Sequence, residues 1–182
     1  MTPQEIIAVV AAGLPAAVGC EADHHGVALR VPPDHWLTAL AFARDRLDCD
    51  FFDWLTAVDE AGEGLSVVAH VYSLTGRHHV LAGTLLPGAG PRLPTATAIY
   101  RGAAWHERET HEMFGVDFAG HPHLAPLLLP SGFEGHPLRK DFVLAARAAK
   151  EWPGAKEPGD RDVPRARRRL PPPGVPEGWQ PP

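Results

Sequence analysis

Between residues 106 and 136 the chain carries His106, Glu107, Glu109, His111, Glu112, His121, His123 and His136, the donor types of a zinc centre or an acid–base pair. Their spacing argues against a metalloenzyme. A zincin sets His-Glu-x-x-His on one helical face, whereas His111-Glu112 runs on into Met113, Phe114 and Gly115. Histidines at a surface or interface account for the same residues. The next candidate is Leu138-Arg139-Lys140-Asp141-Phe142, where two cations sit beside an acid between apolar residues, a poorly specified anion site. Neither Gly-x-Gly-x-x-Gly nor a P-loop occurs, and Gly88-Ala89-Gly90 leads into Pro91, so NAD, flavin or ATP binding by this chain is disfavoured. Ser66, Ser73 and Ser131 lack a nucleophile-elbow context, and Asp53, Asp59 and Glu60 read as edge or turn charges.

The element that must position the first cluster is a helix over residues 103–114, set off by Gly102. Residues four apart share its face, so Glu107 can meet His111 and Arg108 can meet Glu112, with Trp105 beside Arg108 and Glu109. Solvated pairs of this kind contribute only about 0.3–0.5 kcal/mol each. After the helix come a Gly115-Val116-Asp117-Phe118 turn and two stiff bends, Gly120-His121-Pro122 and Gly135-His136-Pro137. A solvated helix face needs no such framing. Charges anchored by Trp105, Met113 and Phe114 suit an interface, where arginine and aromatic side chains act as anchors.

Upstream, Thr2-Pro3-Gln4-Glu5 is a capping box that opens a helix over residues 3–12, stopped at Gly13. A short strand is predicted at 26–31, closed by Pro32-Pro33. Asp34 then caps a helix over 35–46, with Trp36, Leu37, Leu40, Ala41 and Leu47 on one face. Segments 51–58, 65–74 and 78–86 are rich in β-branched and aromatic residues and are separated by Gly62-Glu63-Gly64 and Thr75-Gly76-Arg77, the pattern of an antiparallel meander. Thr95 caps a short helix through Tyr100. These elements make an α+β domain over residues 1–150, a mainly antiparallel sheet covered by helices. Residues 151–182 are proline-rich, almost devoid of large aliphatics and locally basic at 165–169, and cannot form their own core. They read either as a solvated end or as an extended arm that orders on a partner.

The 182 residues, 45% hydrophobic and 21% charged, suffice for one core. A net charge of -5 gives no basic face for nucleic acid. Cys20 and Cys49 alone cannot build a disulfide framework or a thiolate cluster, which fits a reducing, cytoplasmic setting. The apolar run at residues 6–20 is broken by Gly13 and Pro15 and is too short to span a bilayer. The acidic start does not resemble a secretory signal.

Trp105-His-Glu-Arg-Glu-x-x-Glu-Met-Phe-Gly-Val116, Phe118-x-Gly-His-Pro-x-Leu124 and Gly135-His-Pro-Leu-Arg-Lys-Asp-Phe142, with Phe52-Asp-Trp-Leu-Thr-Ala-Val-Asp59, resemble the C subunit of the proton-translocating NADH-quinone oxidoreductase, respiratory complex I. The likeness spans roughly residues 3–142. It implies an α+β fold and a place in the peripheral arm, on the cytoplasmic side of the cell membrane, against the subunit that helps form the quinone pocket. The membrane arm would be reached only indirectly. It also implies no redox centre in this chain. FMN, iron–sulfur clusters and quinone would belong to partner subunits, and catalysis to the complex. The interface motif carried over comprises Trp105, Glu107, Arg108, Glu109, Phe114, Gly115, Gly120, His121, Pro122, Gly135, Pro137, Arg139, Lys140 and Asp141. Four places depart from the family pattern: Glu112 where aspartate is common, Pro126 where arginine is expected, Ser131-Gly132 where acids are frequent, and Val143 where proline often follows. Pro126 leaves open the equivalent subunit of a related membrane-bound hydrogenase or ferredoxin-dependent complex. A free-standing metal-dependent hydrolase is the third alternative.

Overall fold

The computed structural model describes residues 1–23 and 26–143. The arm expected over residues 151–182 lies outside them. Helix α1 (Pro3–Gly13) opens as the sequence requires: Glu5 N–H donates to Thr2 Oγ1 at 3.3 Å, and Thr2 N–H to the Glu5 carboxylate at 2.8 Å. Its inner side buries Ile6 and Val10. Gly13 lies so close to Phe42 that an added Cβ would stand 2.6 Å from that ring, which explains glycine there as a packing requirement.

Two antiparallel strands follow, β1 (Gly19–Asp23) and β2 (Gly26–Arg30). The sequence does not predict the first, because Cys20-Glu21-Ala22 offers none of the β-branched or aromatic residues that mark a strand. Its pairing with β2 supplies the order that its own residues do not. A single 3-10 turn at Pro33–His35 leads into α2 (Trp36–Arg46). The Asp34 cap expected there does not form: neither helical start has a side-chain cap. The two prolines tighten the entry into a 3-10 turn, which puts Asp34 inside it rather than ahead of the helix. Ala39, Phe42 and Ala43 join Trp36 and Leu40 in the interior, while Leu37 and Ala41 are only half-buried.

The meander is β3 (Phe51–Asp59), β4 (Leu65–Ser73) and β5 (His78–Leu86). The five strands lie in the order β1-β2-β5-β4-β3, antiparallel throughout except for the parallel pair β2–β5, where Val27 faces Val80. The two-residue period of the strands separates their faces. In β4, Leu65, Val67, Ala69, Val71 and Ser73 are buried, whereas Ser66, Val68, His70 and Tyr72 remain half-exposed. A small parallel pair, β6 (Arg92–Pro94) and β7 (Asp117–Ala119), brackets α3 (Ala103–Phe114), which packs on β3.

The short helix expected after Thr95 is only a turn, closed by Tyr100 N–H donating to the Ala96 carbonyl at 2.9 Å. It stops because Tyr100 is tied elsewhere. The Tyr100 hydroxyl donates to the Cys49 carbonyl at 2.7 Å, anchoring this end of the turn to the loop before β3.

Candidate functional site

Helix α3 is framed by backbone chemistry at both ends. Gly115 ends it in the left-handed region, φ 80°, and its N–H donates to the His111 carbonyl at 2.8 Å. The last carbonyls of the helix lack internal donors and would otherwise be exposed. Residues 136–139 satisfy three of them in succession. His136 Nδ1 donates to Glu112 O (2.9 Å), Leu138 N–H to Met113 O (3.1 Å), and the Arg139 guanidinium to Phe114 O (3.3 Å). The arginine also complements the negative end of the helix dipole. Asp59, at the end of β3, accepts Lys140 N–H at 2.9 Å and ties the same segment to the sheet.

The two Gly-His-Pro tripeptides serve this framing. Gly120 and Gly135 adopt φ of 82° and 93°, and each places the following histidine against α3. His121 Nε2 reaches the Ala104 carbonyl at 3.1 Å, and its Nδ1 accepts His123 N–H at 3.0 Å, a pairing met by the Nε2–H tautomer. Pro122 and Gly135 are exposed, and Pro137 is half-buried.

Glu107 is fully buried, with no side-chain surface left to solvent. One carboxylate oxygen accepts Ala96 N–H at 2.6 Å, the other accepts the Thr95 hydroxyl, and His121 Nε2 lies 3.9 Å away. Burial pushes the acid up to about 7, against the opposing pull of the Thr95 and Ala96 hydrogen bonds. Glu112 goes the other way. Burial favours its neutral form, but the N–H groups of Leu128, Leu129 and Leu127 and the nearby Arg108 charge together hold it below the usual carboxylate range.

Arg108 does not pair directly with Glu112. Its guanidinium donates to the Ala125 and Pro126 carbonyls at 2.8 and 2.7 Å and lies 5.4 Å from the Trp105 ring centroid. Helix α3 thus holds residues 125–129, Pro126 among them, through Arg108 and Glu112. Glu107 likewise misses His111, whose Nδ1 instead approaches the Val116 carbonyl at 2.8 Å. The helix-face pairs predicted from spacing give way to backbone contacts because the loops fold over α3 and exclude the water that would solvate a charged face.

Three members of the expected interface motif point into the chain's own interior: Glu107, Phe114, which is 6% exposed, and His121, whose side chain is 2% exposed. Trp105 remains 63% exposed, Glu109, Lys140 and Asp141 are exposed, and Arg139 Nε pairs with Asp141 at 3.3 Å. Sequence reasoning misses Thr95, Asp59 and the 125–129 backbone as parts of this assembly. Asp59 and Lys140 have no local signal that could join them.

The structure brings Glu107 near His121, and His111, Glu112 and His136 to one cavity, but not as a ligand set. The imidazoles of His111, His121 and His136 turn to backbone carbonyls, and the His106 ring stands edge-on to Phe52. Among the described residues, no group of three or more His, Cys, Asp or Glu side chains could hold a metal ion. A cavity of about 170 Å³ lies between His111, Glu112, Leu129, Phe133 and His136, smaller than the ~300 Å³ at which small-molecule pockets begin. The larger groove, about 650 Å³, lies away from α3, between Arg30, Val58, Glu63, Val68, Leu81 and Leu85. No helix among the described residues is long and apolar enough to cross a membrane.

Residues 29–148 match the family described as the respiratory-chain NADH dehydrogenase 30 Kd subunit. The C subunit of NADH-quinone oxidoreductase from Roseiflexus castenholzii is 36% identical over 146 residues, covering 78% of this chain and 84% of that protein. A chain of the membrane-bound sulfane sulfur reductase, an archaeal respiratory membrane complex, superposes with a TM-score of 0.70 at 27% identity, covering 88% of this chain and 98% of that one. The trypsin-resistant fragment of Nqo5 shares the fold, with a TM-score of 0.59 at 23% identity, covering 68% of this chain and all of the fragment.

Proposed function

The chain belongs to the family of the 30 kDa subunit of respiratory-chain NADH dehydrogenase, and from that premise we propose that it is a structural subunit of the peripheral arm of a proton-translocating NADH:quinone oxidoreductase. In this reading it keeps the quinone-pocket and iron–sulfur subunits in register while electrons pass from NADH through FMN and the clusters to quinone. Those cofactors are held by its neighbours. The chain reaches the membrane arm only through them, on the cytoplasmic side. A scaffold of this kind matters to turnover because a displacement of about 1 Å can cost a hundredfold in rate.

The observation that carries this reading is the division of labour on α3. Glu107, Glu112, His121, His136 and Arg139 fix the loops that frame the helix, and the large Trp105 side chain stands 63% exposed above Arg108. A rigid platform presenting an aromatic beside an arginine has the composition of an interface anchor.

The test is co-purification with a tagged full-length chain carrying Trp105→Ala. The variant should keep thermal stability within about 0.5 kcal/mol, as expected for an exposed site, and lose most of the partner subunits that the wild type retains. Full retention of those partners would refute the anchor. Stoichiometric flavin or iron in the isolated chain would refute the scaffold reading itself.

A second reading has its own support, the likeness to a chain of the sulfane sulfur reductase together with Pro126 at a position where the family resemblance leads one to expect arginine. In it the same platform serves a related membrane-bound complex with a different electron donor. Identification of the co-purified subunits separates the two, since only the first requires flavin- and NADH-binding partners.

A further inference from the structure

Asp53, His70 and His79 form a chain of hydrogen bonds across three strands, away from α3 and its framing loops. His70 Nδ1 meets the Asp53 carboxylate at 2.9 Å, and His70 Nε2 meets His79 Nδ1 at 3.2 Å. Several features of the sheet position this cluster. The register of β3 against β4 shifts between Phe52 and Trp54, so Asp53 sits at a bulge, a device that re-aims a side chain. Trp54 stacks on the His70 ring with centroids 5.5 Å apart at 16°, and Tyr72 stands edge-on to His79 at 5.7 Å. On the far side β2 passes so near that a Cβ on Gly26, whose φ is +123°, would lie 2.9 Å from the His79 ring.

We propose that His70 Nε2 and His79 Nδ1 form a two-point chelate for a divalent ion of the zinc, nickel or copper type. Zinc–imidazole bonds of about 2.0–2.1 Å at a tetrahedral angle place two ligand nitrogens roughly 3.3–3.4 Å apart. The observed 3.2 Å is close to that span, and binding requires both rings to turn so that their lone pairs converge on the ion instead of on each other. Asp53 fixes the outer nitrogen of His70, the arrangement by which a carboxylate selects the tautomer and raises the basicity of a metal-bound imidazole. With His70 Nδ1–H given to Asp53, its Nε2 lone pair is available. In the metal-free hydrogen bond His79 Nδ1–H donates to it. Binding requires that proton to move from His79 Nδ1 to His79 Nε2. Two protein ligands leave positions for water or for a donor from another chain. The site is independent of the docking role assigned to α3.

The test uses the untagged full-length chain, titrated with Zn²⁺ in a non-coordinating buffer near pH 7.5. Calorimetry should give one ion per chain. His70→Ala and His79→Ala should each weaken binding at least tenfold, Asp53→Asn about tenfold as expected for an outer partner, and the exposed His123→Ala not at all. Side-chain ¹⁵N spectra of the wild type provide a readout free of any folding defect in the variants. Zn²⁺ should shift His70 Nε2 and His79 Nδ1 before the ring nitrogens of His106, His111, His121 or His136. No binding below about 100 µM free Zn²⁺, equal binding by all variants, or unshifted His70 and His79 nitrogens would overturn the proposal.

Discussion

Replacing Glu112 by glutamine preserves the shape of the side chain and removes its charge, which isolates what the carboxylate does for the 125–129 loop. One oxygen accepts Leu127 N–H at 3.1 Å and Leu129 N–H at 2.9 Å; the other accepts Leu128 N–H at 2.8 Å. A glutamine carbonyl can keep the first pair, but its amide then faces Leu128 N–H donor to donor. Losing one hydrogen bond to a charged acceptor costs about 1.5–3 kcal/mol, and the retained pair weakens as its acceptor becomes neutral. The sum is roughly 2–4 kcal/mol, expressed locally because the loop can open without unfolding the sheet. Amide hydrogen exchange reads it directly. The Leu127, Leu128 and Leu129 amides should exchange roughly 30- to 1,000-fold faster in Glu112→Gln at fixed pH, at about 1.4 kcal/mol per tenfold. The sign with pH follows from the lowered pKa of Glu112, which in the folded state lies below its unfolded value. Its stabilisation is present above the unfolded carboxylate's pKa and is lost as pH falls through the lower folded value. The gap between wild type and variant should therefore close in acid. Protection within threefold of wild type at all three amides near pH 7 would show that the Glu112 charge does not hold the loop.

Glu107 titrates in the opposite sense. Its folded pKa, raised to about 7 from 4.5, favours the protonated acid in the folded state. That contribution is fully present below the unfolded pKa and is lost as pH rises through 7, a swing on the order of 3 kcal/mol at 1.36 kcal/mol per unit. Denaturant melts of Glu107→Gln against wild type should show this slope removed between pH 4.5 and 8; an unchanged slope would rule the assignment out. Gly115→Ala should cost about 1–2 kcal/mol, because the residue holds φ 80° and the new Cβ would stand 2.7 Å from His136 Nε2. A fall of roughly 2–8 °C in Tm would match that cost, with His136 released from Glu112. An unaltered Tm would show that the His136 latch is slack.

Helix α3, the capping box of α1 and the last two strands of the meander are readable because each depends on neighbours in sequence: a 3.6-residue period, a Thr-to-Glu spacing, β-branched runs between glycines. The parts that escape prediction depend on distant neighbours. β1 exists because β2 pairs with it, and Tyr100 ends its turn because Cys49 lies within reach of the hydroxyl. The site divides in the same way. Local patterning locates the motif and the stiffness of its two bends, but it assigns the charges to solvent-facing pairs. Side-chain periodicity has no information about loops that fold back over a helix, so the burial of Glu107 and the use of Glu112 as a backbone acceptor are out of its reach. Asp53, read as an edge charge, belongs to a cross-strand histidine chain for the same reason.

The parallel seam between β2 and β5 also governs the order of folding. Adjacent antiparallel strands can zip from their connecting turns, so β3, β4 and β5 can assemble from local contacts. The β1–β2 hairpin is made earlier on the ribosome, where Val27 pairs with Ala22, yet the other edge of β2 has no partner until Val80 arrives. At about 5–20 residues per second the hairpin waits roughly 3–10 s for that strand. The β1–β2 hairpin is thus synthesised first and docked last. During that interval Val27 and Leu29, later buried, form an apolar edge that must avoid pairing with other nascent chains.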